Sequence, residues 1–161
     1  MENLEKIILS LAPDAKIEEN TQRFTATIAP EKLRKVAEGL KAKGFDYLMC
    51  LTGMDYKDSL GVIYHIAPSN DEANVIVLKT STPDRETPSL PTVSDLWEIA
   101  YFYEREVYDF YGIIFTNHPD MRRLFLREDW KGFPFRKDYD ANPALNPIPE
   151  KVPSVESFEN V

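Results

Sequence analysis

Hydrophobic positions change their period several times along the 161 residues, and each change predicts an element. Over residues 2–12, Leu4, Ile7, Ile8 and Leu11 recur at helical spacing, and Pro13 stops the helix. From Lys16 to Ile28 the period becomes two, with Phe24, Ala26 and Ile28 on one face and Arg23, Thr25 and Thr27 on the other. Pro30 opens a second helix whose buried stripe is Leu33, Val36, Ala37 and Leu40, and Gly44 is placed to end it. Three strands follow, near 46–54, 61–67 and 74–80. Turn residues separate them: Asp58, Ser59 and Gly61, then Pro68, Ser69, Asn70 and Asp71. Links this short imply an antiparallel meander. His65, in the middle strand, reads as a half-buried structural histidine. Pro83, Pro88 and Pro91 make an irregular exposed link, after which Thr92 or Ser94 can cap a third helix with Asp95 in its first turn.

That third segment, Trp97 to Phe115, holds eight aromatic residues with Glu104, Arg105 and Glu106 among them. On a helix, Trp97, Tyr101, Glu104, Tyr108 and Tyr111 fall on one face, so an acid stands in an aromatic seam. A carboxylate there needs a partner, because an unpaired buried charge costs several kcal/mol. The basic residues just downstream, Arg122, Arg123, Arg127, Lys131, Arg136 and Lys137, supply candidates, and pairing with one of them is the expectation. Arg105 and Asp109 are i,i+4 neighbours and read as a surface pair. Gly112 ends the helix, and Ile113, Ile114 and Phe115 add a short strand or dock on the core.

Composition narrows the function. An apolar share of 43% supports a real core, and a net charge of −8 disfavours nucleic acid or an anionic membrane as a general partner. The charge is uneven: residues 80–110 hold seven acids against two bases, whereas 120–139 hold six bases against four acids. Oppositely biased patches point to ion pairing within the chain or with a partner. Cys50 lies in an apolar run and reads as a buried structural thiol. It can form no disulfide within the chain, which fits a reducing compartment. One Cys with His65 and His118 cannot make a zinc or iron–sulfur site at any usual spacing. No apolar run approaches the roughly 20 residues of a membrane span, and the N-terminal residues do not read as a secretory signal.

Catalytic signatures are missing. None of the six glycines falls at dinucleotide or phosphate-loop spacing. Ser, His and Asp lack a nucleophile-elbow context, and a pairing of Cys50 with a histidine has nothing in sequence to support it. Glu104 and Glu106, two residues apart, point apart on a helix. The Arg and aromatic residues after 117 suit an acidic protein groove better than nucleic acid. The sequence therefore divides into a globular α+β domain over 1–116, an ordered Arg/aromatic docking arm over 117–139, and a Pro-rich, partner-dependent tail over 140–161. The expected fold is a mixed, largely antiparallel sheet of about 4–6 strands packed with about 3 helices, plus the extended arm.

At the same residues the chain resembles the C-type member of bacterial NADH-quinone oxidoreductase, the 30 kDa-subunit family of respiratory complex I. The motif runs through Glu104, Arg105, Glu106, Asp109, Phe110, Tyr111, Gly112 and Ile113, then His118, Pro119, Arg122 and Arg123, then Trp130, Gly132, Pro134, Arg136, Lys137 and Asp138. Weaker likenesses lie at 51–56, 62–66 and 92–97, so the resemblance spans roughly 46–139. Asn117 and Phe135 depart slightly from the pattern. The resemblance implies a structural and assembly subunit of the peripheral arm, with no catalytic, cofactor-binding or metal-binding residues of its own. FMN, iron–sulfur clusters and a quinone would sit on other subunits. The implied partners are the large quinone-site subunit, of D type, and the cluster-bearing subunits, of B and I types, on the cytoplasmic side of the inner membrane. In some relatives this subunit is fused to the quinone-site subunit. The alternatives are the equivalent subunit of a membrane-bound hydrogenase or other complex-I-like machine, and a free-standing peptide-binding module or carboxylate-based enzyme.

Overall fold

The computed structural model describes residues 2–20 and 23–147. The expected tail therefore lies largely outside the described residues. Helix α1 (Glu2–Leu11) is followed by β1 (Lys16–Asn20) and β2 (Arg23–Ile28). The period-two stretch is thus a hairpin rather than one strand, with Ile17 opposite Ala26. Pro30–Lys32 forms a 3-10 turn that leads into α2 (Leu33–Ala42), which buries the four residues of its apolar stripe. The meander follows as β3 (Tyr47–Asp55), β4 (Leu60–Ala67) and β5 (Ile76–Thr82), antiparallel throughout.

The five-stranded sheet has the order β1-β2-β5-β4-β3. Its β2–β5 pair is parallel, with Ala26 opposite Leu78, so the sheet is mixed, as expected. One core holds α1, α2 and the inner face of the sheet, through Ile8, Leu33, Leu40, Leu48, Tyr64, Ile66 and Leu78. The outer strands differ in their protection. Three of the five residues of β1 are charged, which discourages pairing with another chain. The other edge strand, β3, instead packs against the helix over Ala100–Tyr111.

The link after β5 departs from expectation. Pro88 and Leu90 are buried, and Ser89–Pro91 forms a short strand, β6, parallel to β7 (Ile114–Thr116). Prolines end strands readily, but Leu90 is apolar enough to pull its neighbours onto the core. Helix α3 is also shorter than the aromatic segment, running from Ala100 to Tyr111. Trp97 stands in the turns before it, buried, and its indole donates to the Phe45 carbonyl at 3.2 Å. Thr92, Ser94 and Asp95 do not cap the helix: the N-cap is Ile99, and Asp95 pairs with Arg34 instead.

Glycine is required where α3 meets the rest. Gly112 ends the helix in the left-handed region at φ 73°, and a Cβ there would lie 2.5 Å from Phe133. A Cβ on Gly53 would lie 2.4 Å from the Tyr111 ring, so β3 and α3 touch because that strand position is bare. Gly112→Ala is expected to lose about 2–3 kcal/mol, since it combines left-handed strain with overpacking, and to melt roughly 5–10 °C lower. Calorimetry of the two chains checks this.

Candidate docking site around the ion-lined helix

Helix α3 buries charge and displays aromatics. Its buried residues are Ala100, Glu104, Arg105, Val107 and Asp109, whereas Phe102 is 51% exposed. The aromatic seam expected from spacing is therefore only partly internal, with Tyr101, Tyr108 and Tyr111 half-buried. The inversion has a local cause: the segment after β7 folds back over the helix and binds its ionic side chains.

Asp109 is the centre of that fold-back. It is fully buried, and its Oδ1 accepts from Arg123 Nη1 at 2.8 Å. Its Oδ2 accepts three successive backbone N–H groups, from Leu124 (3.1 Å), Phe125 (2.6 Å) and Leu126 (2.9 Å). Burial pushes this carboxyl upward, but Arg123 and the three amides outweigh it and hold the pKa below the ordinary carboxylate value. Arg123 also donates to the carbonyls of Asp109, Trp130 and Gly132, so one guanidinium ties two points of the arm to the helix. Arg105 works on the other side, donating to the carbonyls of Arg122 and Arg123 and lying 3.6 Å from Asp120. Arg105 and Asp109 are thus two buried anchors with separate partners, not the surface pair their spacing suggested.

The arm also satisfies the end of the helix. The last turn of an α-helix leaves carbonyls without partners. Here Gly112 N–H bonds the Tyr108 carbonyl, Arg123 the Asp109 carbonyl, Phe135 N–H the Phe110 carbonyl, and Arg136 Nε the Tyr111 carbonyl at 2.7 Å. Farther on, Lys137 N–H donates to buried Asp55, which also receives both Nη atoms of Arg85. Arg85 bonds Asp138 as well, and its bonds to Asp55 hold that carboxyl well below the usual range. Sequence reasoning missed Asp55 and Arg85. Their only signal was charge beside apolar or Pro-rich runs.

Glu104 contradicts the expected ion pair. It is fully buried, yet none of Arg122, Arg123, Arg127, Lys131, Arg136 or Lys137 is among its partners. Thr92 Oγ1 donates to Oε2 at 2.5 Å, and Val93 N–H donates to Oε1 at 2.7 Å. The nearest basic group is His118 Nε2, at 4.0 Å. That ring accepts the Asp120 N–H at Nδ1 and donates from Nε2 to the Tyr101 carbonyl, so it is neutral, and burial lowers its pKa. With no cation in contact, burial pushes the Glu104 pKa up to about 7. Of the downstream bases, Arg123 is taken by Asp109 and backbone carbonyls, Arg136 by the Tyr111 carbonyl, Arg122 by Asp120 and Arg127 by Asp129.

The remaining motif residues are peripheral to this network. Arg122 is exposed and pairs with Asp120, Glu106 is half-buried, and Pro119 is exposed. Gly132 takes φ 80° and Asn117 takes φ 65°. Trp130 lies under Arg127, 6.0 Å from its guanidinium, and Pro134 is half-buried. On the sheet, Cys50 is half-buried rather than buried, with Sγ 3.2 Å from His65 Nδ1, so the pairing that sequence could not support does exist in space. Burial, then Arg23, lowers the His65 pKa. Among the described residues no group of three or more His, Cys, Asp and Glu could hold a metal ion. No described helix is long and apolar enough to cross a membrane.

Two outcomes follow from these contacts. Arg123→Ala leaves the Asp109 charge buried and unpaired, so a loss of about 3–5 kcal/mol is expected in urea unfolding. Glu104→Gln acts through pH. The Glu104 carboxyl holds its proton to about pH 7 in the folded chain but gives it up near 4.5 when unfolded, so folding takes up protons between these values. Stability from this group is full below the lower value, falls as pH rises, and levels off above about 7. Glu104→Gln removes that fall, so its stability relative to wild type should rise by about 2–3 kcal/mol from pH 4.5 to pH 8. Unfolding midpoints across that range check it.

Comparison with known proteins places this architecture. Residues 26–144 match the family model described as respiratory-chain NADH dehydrogenase, 30 Kd subunit. The C/D protein of the NADH-quinone oxidoreductase of Phocaeicola vulgatus is 54% identical over 119 residues, covering 73% of this chain and 22% of that protein. The C protein of the F(420)H(2) dehydrogenase of Methanosarcina mazei is 40% identical over 129 residues, covering 78% of this chain and 80% of that one. A chain in the structure of the membrane-bound sulfane sulfur reductase, an archaeal respiratory membrane complex, superposes with a TM-score of 0.75 at 28% identity, covering 89% of this chain and 87% of its own. The chain thus spans about a fifth of the length of the C/D relatives it matches. The fold, the ion-lined helix and the matched residues together make this chain a member of the respiratory-chain NADH dehydrogenase 30 Kd subunit family.

Proposed function

We propose that the chain is a non-catalytic structural and assembly subunit in the peripheral arm of a proton-translocating NADH:quinone oxidoreductase. It braces the large D-type quinone-site subunit and the B- and I-type cluster-bearing subunits, on the cytoplasmic side of the inner membrane. FMN, iron–sulfur clusters and the quinone belong to those other subunits. One observation carries this reading: the charged motif residues Arg105, Asp109, Arg123 and Arg136 are taken up by contacts that hold the arm to α3. Their chemistry goes into shape, which suits a brace. The relatives named as NADH-quinone oxidoreductase subunits support NADH as the donor.

A second reading has its own support. The F(420)H(2) dehydrogenase protein and the chain from the sulfane sulfur reductase complex share most of their length with this one. On that reading the chain serves another electron-input machine of the same build, a membrane-bound hydrogenase included. Partners copurified from native membranes separate the two: flavin- and NADH-binding chains for the first, other electron-input chains for the second.

The bracing role is tested with Arg136→Ala, which uncaps the Tyr111 carbonyl. The expected result is loss of quinone reductase activity in proportion to loss of assembled complex, read from the amount of each partner and the activity of the same membranes. A mutant complex that purifies with every subunit in place yet is inactive overturns the role.

A further inference from the structure

Glu104 is sealed from water, yet only two hydroxyl groups separate it from a cleft. Thr92 Oγ1 lies 2.5 Å from Glu104 Oε2, and Ser94 Oγ lies 2.8 Å from Thr92 Oγ1. Thr92 is buried like Glu104, whereas Ser94 is half-buried. Ser94 lines a cleft of about 480 Å³ together with Asp95, Tyr101 and Asn117. A cleft of that size with polar walls holds water. Water, two hydroxyls and a carboxyl thus form one line, and both steps inside the protein are short enough for proton transfer.

The donor and acceptor count fits both charge states of Glu104. Thr92 Oγ1 has one proton and two lone pairs, and one lone pair accepts Ser94 N–H at 3.1 Å. With Glu104 ionised, Ser94 O–H donates to Thr92, and Thr92 O–H donates to Glu104 Oε2. With Glu104 protonated on Oε2, its O–H donates to Thr92, and Thr92 O–H donates to Ser94. Both patterns leave each hydroxyl satisfied. In passing from the first to the second, Ser94 takes a proton from water in the cleft and hands its own to Thr92, which hands its own to Glu104. Each hydroxyl gains one proton and loses one, so the net change is one proton moved from the cleft to the carboxyl.

Among the described residues no other contact of the carboxyl offers a route. Oε1 receives Val93 N–H, a backbone amide. His118 Nε2, 4.0 Å from Oε2, spends its proton on the Tyr101 carbonyl. The other titratable or charged groups that act on Glu104 are Asp95 and Arg34, which pair with each other and push its pKa in opposite directions. Tyr64 on β4 feels Glu104 in turn: burial, then the Glu104 charge, raises its pKa. Burial dominates at Glu104 and pushes its pKa up to about 7, so both hydrogen-bond patterns are populated near that pH.

We propose that Glu104 is a reversible proton-binding site of the closed fold, loaded and unloaded from the cleft through the hydroxyls of Ser94 and Thr92. Without such a path, a carboxyl this deep exchanges its proton only when the link after β6 lifts off α3. With it, the charge inside that contact follows the outside pH while the contact stays shut.

Two rates measured on the 161-residue chain test the relay. One is the protonation of Glu104 after a light-triggered drop from above to below pH 7, read from the infrared band of its carboxylic acid and assigned by its loss in Glu104→Gln. The other is the opening of the site, read from hydrogen exchange of the Val93 amide, which donates to the same carboxyl. Glu104 should protonate at least about tenfold faster than the Val93 amide opens. Thr92→Val and Ser94→Val put a methyl group where the hydroxyl stood, and each should slow protonation to the opening rate. Thr92→Ser and Ser94→Thr keep a hydroxyl and should stay within about twofold of the wild-type rate. Ser94 does not touch Glu104, so Ser94→Val should slow the rate while leaving the titration midpoint in place, a split that loss of a merely structural residue would not give. Wild-type Glu104 that protonates no faster than the Val93 amide opens overturns the relay. So does a Ser94→Val chain that protonates as fast as wild type. The first comparison needs no variant, so it decides even where Thr92→Val fails to fold.

Discussion

The arrangement of the arm after β7 depends on one buried carboxylate. Asp109 has its charge met by Arg123 and by three consecutive amides of the arm. Such a group has no tolerable alternative, because a buried charge without partners costs more than most single interactions contribute. The arm must therefore lie where its amides converge on that carboxylate. Its own backbone has few regular hydrogen bonds, so side chains of α3 and the carbonyls at the helix end replace the ladder a strand would have supplied.

Glu104 sits in the same helix and meets the opposite solution. Asp109 is ionised and surrounded by donors with positive character. Glu104 has two neutral donors and a neutral imidazole locked by an amide on its other nitrogen. Two acids five residues apart thus shift in opposite directions, Asp109 below the ordinary carboxylate value and Glu104 up to about 7, because one face of the helix meets the arm and the other meets the β6 link. The Glu104 site fastens the link after β6 to α3, and the Asp109 site fastens the arm.

Much of the fold was legible in the sequence, for physical reasons. Helices α1 and α2 announce themselves by apolar residues at helical spacing, and the meander by alternation and turn residues, since these patterns report directly on which side meets water. The parallel β2–β5 join was not legible, because pairing across a long stretch of chain leaves no local signature. Ser89–Pro91 was missed because proline masked a strand that Leu90 anchors. At the site, the anomaly of an acid in an aromatic seam was visible, but its partner was not. Spacing pointed to the downstream bases, whereas backbone amides and Thr92 are invisible to any count of charges. The same counting hid the inversion of α3, in which Arg105 and Asp109 turn inward and Phe102 turns out.

The parallel join has a consequence for how the molecule assembles. Strands β3, β4 and β5 meet through short turns, so their contacts form with little loss of chain entropy. Strand β2 reaches β5 only after α2 and two strands have been laid down between them, and β1 is held by β2 alone. Closing that larger loop is slower and loses more entropy than closing a hairpin. On this ground the meander is expected to form before the first hairpin joins it. The first hairpin precedes the meander in the chain, and β2 has its sheet neighbour only once β5 is in place.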